Sequence, residues 1–211
     1  SLKQFPLNEV DSLILCQISY CNFDGLLDSS FTKKGMTLRE LGFKFANSPD
    51  SEMRMDYGAM INPLTNNLLQ AASESKRFGD IHVCGYVNII DTQKDEQFSA
   101  MTFCLPDNSF FVAYRGTDDT IVGWQEDFDL GWKDKVPAQV DAADYLEKAA
   151  SALKGKIYTG GHSKGANLVL YAAANASDKV KKRIVRVYAN DGPGFKKEFF
   201  ESSGYLEIRD R

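Results

Sequence analysis

The chain has 211 residues, of which 43% are hydrophobic and 26% charged, a balance typical of a globular domain with a sizeable core. A formal net charge of -4 and a pI near 5.3 argue against a nucleic-acid-binding role. No apolar run is long enough to span a membrane and no signal peptide precedes the first helix, so we expect a cytoplasmic protein. The four cysteines show no CxxC spacing and are expected to be reduced: Cys16, Cys21, Cys84 and Cys104.

The first third of the sequence predicts helices. Asn8 is placed to cap the first, and its apolar face would comprise Val10, Leu13, Ile14, Gln17 and Ile18. A second helix is predicted to begin in the segment 36–41. Asn62 as cap and Pro63 at the first helical position predict a third, which runs to about residue 75.

Strands and helices then alternate. Segments 81–87, 98–105 and 110–114 have strand composition, and the last two are joined by a turn typical of a hairpin. A polar loop is expected after Gly116, then a helix over 138–153, a strand at 156–159, a helix at 166–174 and a strand at 184–188. This order predicts an α/β fold with a mixed, mostly parallel sheet flanked by helices. No repeat or linker divides the chain, so residues 1–211 are expected to form a single domain.

The most informative motif is the segment 161–165, which reads G-x-S-x-G between a predicted strand and a predicted helix. In a nucleophile elbow the serine occupies a strained turn, and bulky residues two positions before or after it would clash. Gly161 and Gly165 stand at those two positions, so Ser163 is the predicted nucleophile. The alternative is a glycine-rich turn with an incidental serine.

Two backbone N–H groups usually form the oxyanion hole of such a site. One is expected from Lys164, directly after the nucleophile, and the other from the loop after an earlier strand, where Thr117 stands. Thr117 offers a hydroxyl as well as an N–H, although its spacing fits a plain loop threonine equally well.

These motifs, 111–117 followed by 161–166, resemble the R-G-T/S loop and the GHSxGGA elbow of the class 3 lipases. Segments 96–100, 116–119, 123–128 and 190–195 make the chain more similar still to an uncharacterised bacterial lipase-3-like family of α/β-hydrolases. The resemblance implies that Thr117 lines the oxyanion hole. The chain departs from the class 3 pattern at Lys164, where these lipases usually have an apolar residue.

For the rest of a catalytic triad, the sequence offers a candidate acid but no histidine in the expected position. Asp191 follows the predicted strand 184–188 and is the predicted acid, with a turn aspartate as the alternative. In this fold the basic histidine follows the acid, yet the two histidines, His82 and His162, both precede it and are expected to be structural. Segment 205–208 has the composition of a further strand. The 211 residues are therefore expected to lack the C-terminal strands and the base of the complete domain, and to be inactive as they stand.

Other residue groups around the motifs have simpler interpretations. Asp118, Asp119, Glu126, Asp127 and Asp129 form an acidic segment for which a solvated or Arg115-paired loop is preferred to a metal site. Trp124, Phe128 and Trp132 are expected either to roof an acyl pocket or to pack ordinarily. The Lys164 ammonium is expected either to favour anionic esters or to point to solvent. The basic segment 179–183 is expected to be a solvated connection.

The sequence as a whole predicts a serine hydrolase that cleaves a small or lipid carboxylic ester through a Ser163 acyl-enzyme, with no cofactor and no metal. A thioesterase or acyltransferase uses the same machinery and is the alternative among enzymes. A hydrolase-like scaffold that binds a ligand without turnover is the alternative from another class, and the missing histidine favours it.

Overall fold

The computed structural model describes residues 1–56, 58, 61–118, 120–130 and 132–211. Its centre is a sheet whose strands follow one another in space in the order of the sequence. The strands are β1 (His82–Asp91), β2 (Glu96–Cys104), β3 (Phe110–Tyr114), β4 (Ile157–His162) and β5 (Ile184–Asn190). The helices are α1 (Glu9–Ile18), α2 (Leu38–Ala46), α3 (Ser51–Arg54), α4 (Thr65–Glu74), α5 (Ile121–Leu130), α6 (Pro137–Ala152), α7 (Lys164–Asn175), α8 (Asp178–Lys181), α9 (Lys197–Glu201) and α10 (Ser203–Ile208).

The mixed sheet confirms the predicted α/β class, with a difference in the proportion of parallel pairs. Strands β1, β2 and β3 pair antiparallel, whereas β3, β4 and β5 pair parallel. Antiparallel and parallel pairings are thus equally frequent among the described strands, so the sheet is not mostly parallel. The parallel half brings the carboxyl ends of β3, β4 and β5 to one edge, the usual location of ligand sites in α/β proteins.

Each face of the sheet is covered by its own hydrophobic core. One core joins β3 and β4 to α6 and α7, and the other joins β1, β2 and β3 to α1, α2 and α4. Val112 points into the first core and Phe111 into the second, because successive side chains of a strand point to opposite faces. A strand buried on both faces is held firmly, which suits β3 to position the loop that follows it.

Of the two predicted helix caps, Asn8 is confirmed and Asn62 is wrong. The Asn8 side chain accepts a hydrogen bond from the backbone N–H of Asp11 at 3.0 Å, and the Asp11 carboxylate accepts one from Asn8 in return. Thr37 and Glu40 form the same reciprocal capping box at the start of α2. Asn62 instead forms a turn before α4, which begins at Thr65 and not at Pro63.

The predicted apolar face of α1 is correct at Ile18, which is buried, and at Ile14, which packs against the second core, but wrong at two other positions. Val10 and Leu13 are exposed, and the buried residues of the helix are Asp11, Ser12, Leu15, Cys16 and Ile18. The reason is the buried Asp11, whose carboxylate binds the guanidinium of Arg77 and so turns its own side of the helix inward.

Two segments differ from their predicted secondary structure, and in both a polar side chain caps a helix. The expected loop after Gly116 contains α5, because Asp118 accepts from the N–H of Thr120 and Thr120 from that of Gly123, which caps the helix. The strand predicted at 205–208 lies in α10, which Ser202 caps by accepting from the Tyr205 N–H at 3.2 Å. That segment packs on α7 through the buried Ile208, so it does not begin another strand.

The basic segment 179–183 is not simply a solvated connection. Lys179 and Lys182 are exposed as expected. The Arg183 guanidinium donates to three backbone carbonyls around the end of α6, those of Ala150, Leu153 and Gly155, at 2.6, 2.6 and 2.8 Å. It therefore satisfies carbonyl groups that the end of a helix leaves without partners.

Candidate active site

Ser163 lies at the junction of β4 and α7 in an unusual backbone conformation. Its φ of 56° and ψ of -129° fall outside the regions that residues other than glycine normally occupy. The conformation is held on both sides, because Ser163 N donates to the Asn190 carbonyl at 3.0 Å and the Ser163 carbonyl accepts from Ala166 N at 2.8 Å. A strained serine in a strand-to-helix turn is the geometry that an exposed nucleophile requires.

The positions two residues before and two residues after Ser163 have no room for a side chain, so both must be glycine. A Cβ atom at Gly161 would lie 2.0 Å from the Gly165 carbonyl oxygen, and one at Gly165 would lie 2.3 Å from the carbonyl oxygen of Tyr114. Both obstacles are backbone atoms and cannot rotate away. The steric argument drawn from the motif therefore has a direct counterpart in the structure.

Ser163 opens onto a cavity of about 310 Å³, which is within the usual range for small-ligand sites. Its walls come from the ends of α1, β3 and β4, from α5 and from the segment before α4. The lining residues are Gln17, Tyr20, Ile61, Asn62, Thr117, Asp118, Trp124, Asp127, His162 and Ser163.

Thr117 lies in the same cavity as Ser163, as an oxyanion-hole residue must. Its hydroxyl donates a short hydrogen bond to the carboxylate of Asp127 on α5. Burial raises the pKa of Asp127, while the Thr117 hydrogen bond opposes that shift. Because the hydroxyl has a single proton and gives it to Asp127, the group that Thr117 can offer to an oxyanion is its backbone N–H.

Lys164 is the first residue of α7, so its N–H has no acceptor within the helix. The positive end of the helix dipole lies at the same point. An oxyanion formed at Ser163 would meet this N–H group and the helix terminus together.

The Lys164 side chain contradicts both expectations made for it. It is 1% exposed and donates to the Glu126 carboxylate at 2.8 Å, to the Gln97 carbonyl at 2.6 Å and to Gln97 Oε1 at 2.7 Å. Burial lowers the pKa of the Lys164 ammonium, and the nearby Glu126 carboxylate opposes this. The ammonium neither points to solvent nor adds positive potential for an anionic ester, because Glu126 neutralises it inside the protein.

His162 lines the cavity beside Ser163, half-buried. Its Nδ1 lies 3.0 Å from the hydroxyl of Tyr20, at the end of α1. His82 lies elsewhere, where its Nδ1 is 2.7 Å from the Gly35 carbonyl. In the part of the chain that the structure describes, no hydrogen bond joins either histidine to Ser163.

Asp191 comes directly after β5 at the same sheet edge. It is exposed and adopts a left-handed φ of 48°. It is not among the residues that line the cavity of Ser163. The next residue touches the elbow closely, since a Cβ at Gly192 would lie 2.9 Å from the Ser163 carbonyl oxygen. The structure therefore brings the backbone of this segment to the elbow but leaves the Asp191 carboxylate in solvent.

The acidic segment divides into residues with separate partners. Asp118 pairs with the buried Arg115 at 2.9 Å and Asp129 pairs with Lys133 at 2.6 Å, which confirms the Arg115 pairing. Asp119 lies outside the described residues. Within the described ranges, no group of three or more His, Cys, Asp or Glu side chains is arranged to hold a metal ion.

The three aromatic side chains of this region differ in whether they line the cavity or lie in solvent. Trp124 lines the cavity, whereas Phe128 and Trp132 are 74% and 65% exposed. Only Trp124 is therefore placed to contact a bound group. Sequence reasoning missed Tyr20, because a tyrosine at the end of a helix carries no local signal that it meets a residue 142 positions later.

Comparisons with known proteins give two matches. A family model described as Mbeg1-like matches residues 72–211. Among solved structures, one described as "Crystal structure of M37 lipase" is 16% identical, with a TM-score of 0.46, over 86% of this chain and 58% of that one. The chain thus spans less than two thirds of that lipase chain. No curated protein matched the sequence.

The described helices include none that is both long and apolar enough to cross a membrane. The family match includes β1 to β5, the elbow, Thr117 and Asp191, and it extends over well more than half of the chain. The chain therefore belongs to the Mbeg1-like family, a lipase-like family.

Proposed function

We propose that the protein is a serine hydrolase that cleaves carboxylic esters through an acyl-enzyme on Ser163. The observation that carries the proposal is the backbone of Ser163, held at φ 56° between a strand and a helix, with a ligand-sized cavity in front of it. A non-glycine residue in this conformation is costly and persists where the surrounding structure imposes it, most often at functional sites.

In the proposed reaction the Ser163 hydroxyl oxygen attacks the ester carbonyl carbon and passes its proton to a general base. The carbonyl oxygen becomes an oxyanion, which the Lys164 N–H and Thr117 would stabilise. The bond to the alcohol then breaks, the alcohol leaves with the proton, and water releases the acid from Ser163. A thioesterase differs only in its sulfur leaving group, and an acyltransferase only in the acceptor that replaces water.

We propose Asp191 as the acid and place the base outside residues 1–211. Asp191 directly follows the parallel strand beside the elbow strand, which supports its role. Its exposed carboxylate has room to receive a histidine from a segment not among these residues. Over the described residues, neither His82 nor His162 forms a hydrogen bond with Ser163, which supports an external base.

The first prediction concerns covalent labelling of Ser163. A fluorophosphonate requires an activated serine, so a full-length chain that extends beyond Arg211 is expected to be labelled. The Ser163→Ala variant is expected to lose all labelling. Ser177→Ala, which removes the cap of α8 and a hydrogen bond to Glu147 outside the cavity of Ser163, is expected to keep it. Mass spectrometry of the labelled peptide makes the measurement.

Labelling of Ser163→Ala at the wild-type level would refute the assignment. Labelling and ester turnover by the 211-residue chain, at the rate of the longer chain, would show that the base lies within these residues. His162→Gln would then be the variant to compare. A longer chain that is neither labelled nor active would favour a scaffold without turnover.

The second prediction concerns the Thr117 hydroxyl. Thr117→Val keeps the shape of the side chain but removes the group that Asp127 orients. In the full-length protein we expect kcat for a p-nitrophenyl ester to fall by roughly tenfold, less than the about 10²-fold of a lost oxyanion donor, because the hydroxyl proton already goes to Asp127 and the hydroxyl acts by holding the loop that carries the Thr117 N–H. KM should change little, because an oxyanion donor acts mainly in the transition state. Asp127→Asn keeps an acceptor for that hydroxyl and is expected to lower kcat less than Thr117→Val does. An unchanged kcat in Thr117→Val would show that the bond to Asp127 does not position the Thr117 N–H.

A further inference from the structure

A second and larger cavity, of about 560 Å³, lies at the opposite edge of the sheet from Ser163. Phe110, the first residue of β3, lines it, whereas the last residue of that strand, Tyr114, leads to Thr117 in the active-site cavity. The five-residue strand separates the two edges by roughly 13 Å. The cavities share no lining residue, so the second one is a separate place for a ligand.

The base of this second cavity is apolar. Residues from the N-terminal segment, the start of the sheet and the end of α6 meet there, and all of them are buried. They are Leu2, Ile81, Leu105, Phe110 and Leu153. They are 1–8% exposed, so a ligand meets only their outermost atoms. A hydrocarbon chain placed against those atoms would itself be removed from water, which favours binding in proportion to the apolar area covered.

The rim of the cavity is cationic. Its basic side chains are Lys3, Lys33, Lys34, Lys76 and Arg77. Asp80 is the acidic side chain among the lining residues, and its carboxylate already binds Arg39, which lies outside the lining, at 3.2 Å. This concentration of positive charge occurs in a chain whose formal net charge is -4.

Several of these cations have no counterion within the described residues. Arg77 binds Asp11, and Lys33 donates to the amide oxygen of Asn108 at 2.8 Å. Over the described residues, Lys3, Lys34 and Lys76 form no ion pair. Like charges that converge without partners repel one another, and a bound anion relieves that repulsion.

We propose that this cavity binds a single-chain amphiphile with an anionic head, such as a fatty acid or an alkyl phosphate. The alkyl chain lies against the apolar base and the head group meets the lysines of the rim. The volume is within the range of small-ligand sites. The proposal does not depend on ester hydrolysis, because it uses none of the residues around Ser163.

The test is isothermal titration calorimetry of sodium decanoate, below its micelle concentration, into the Ser163→Ala protein, where no turnover can occur. We expect saturable binding at one site. Octanoate should bind several-fold more weakly, because each methylene is worth up to about fourfold in affinity. Decanol, which lacks the charge, should bind at least tenfold more weakly than decanoate. Equal affinity for decanol and decanoate would overturn the role of the lysines.

A matched pair of double variants then locates the site. Lys34→Glu with Lys76→Glu reverses two rim charges and is expected to weaken decanoate binding at least tenfold. Lys179→Glu with Lys182→Glu makes the same change in net charge at two exposed residues that do not line the cavity, and should leave the affinity within twofold of the parent. Equal effects of the two pairs would overturn the proposal, including the case in which decanoate occupies the Ser163 cavity.

Two further ligands identify the head group and its source. Tighter binding of decyl phosphate than of decanoate, with the same response to the variants, would assign a phosphate head, and the reverse order a carboxylate. Binding to phosphatidylglycerol vesicles without any binding of the dissolved amphiphiles would overturn the proposal, because the positive surface would then be a membrane contact. No binding of any of these ligands would overturn it as well.

Discussion

Replacing Lys164 by methionine is expected to destabilise the protein by about 3–5 kcal/mol, the usual effect of leaving one member of a buried ion pair alone. Glu126 is fully buried, and the change removes its closest cation. The hydrogen bonds that remain, from the N–H groups of Gln97 and Ala138, do not neutralise its charge. The midpoint of urea unfolding, with the slope held in common, measures the loss.

Two variants make that measurement specific. Adding Glu126→Gln to Lys164→Met removes the orphaned charge and is expected to restore a large part of the lost stability. Lys196→Met breaks the Lys196–Asp134 pair, whose side chains are 47% and 94% exposed, and should cost less than about 1 kcal/mol. A loss in Lys164→Met no larger than that in Lys196→Met would show that the buried pair contributes little.

The second large effect is expected from Gly161→Ala. The added methyl group would need the space of the Gly165 carbonyl, 2.0 Å away, so either the strand or the first turn of α7 must move. We expect a destabilisation of about 3 kcal/mol, at the upper end for overpacking because the obstacle is backbone. We also expect fluorophosphonate labelling of the full-length protein to be lost, since Ser163 cannot then keep its conformation.

Gly194→Ala is the control for the elbow variant. A Cβ at Gly194 would meet no atom within 4 Å, although the residue lies in the segment that follows Asp191. This variant should therefore keep both its stability and its labelling. Wild-type labelling of Gly161→Ala would contradict the steric account of the elbow.

The tight strand-to-helix turn at 161–165 could be predicted from the sequence because the whole motif is local. Gly161 and Gly165 are within two residues of Ser163, and their spacing alone expresses the crowding seen around the turn. The Asn8 cap of α1 was predictable for the same reason, since it joins residues three positions apart. Steric clashes and hydrogen bonds between residues that are close in the sequence can be inferred from the sequence itself.

The buried contacts of the site were not predictable in this way. Lys164 and Glu126 are 38 positions apart, and a charged residue in a polar segment normally indicates solvent. The segment containing α5 was expected to be a loop because its acidic residues indicated solvent, whereas its buried side combines the apolar Val122 with the acidic Glu126. Segment 205–208 was expected to be a strand because four residues of its composition suit either a strand or a short helix.

The mixed inner side of α5 has a consequence for how that helix tolerates change. Its buried residues are Val122, Gly123 and Glu126, whereas Ile121 and Phe128 are 78% and 74% exposed. The hydrogen bonds of Glu126 and Asp127, together with the buried Val122, hold the rotation of the helix about its axis. Substitutions along its outer side can therefore alter the surface next to the cavity without redirecting Asp127 toward or away from Thr117. The helix combines a fixed inner register with an outer surface whose sequence is free to diversify.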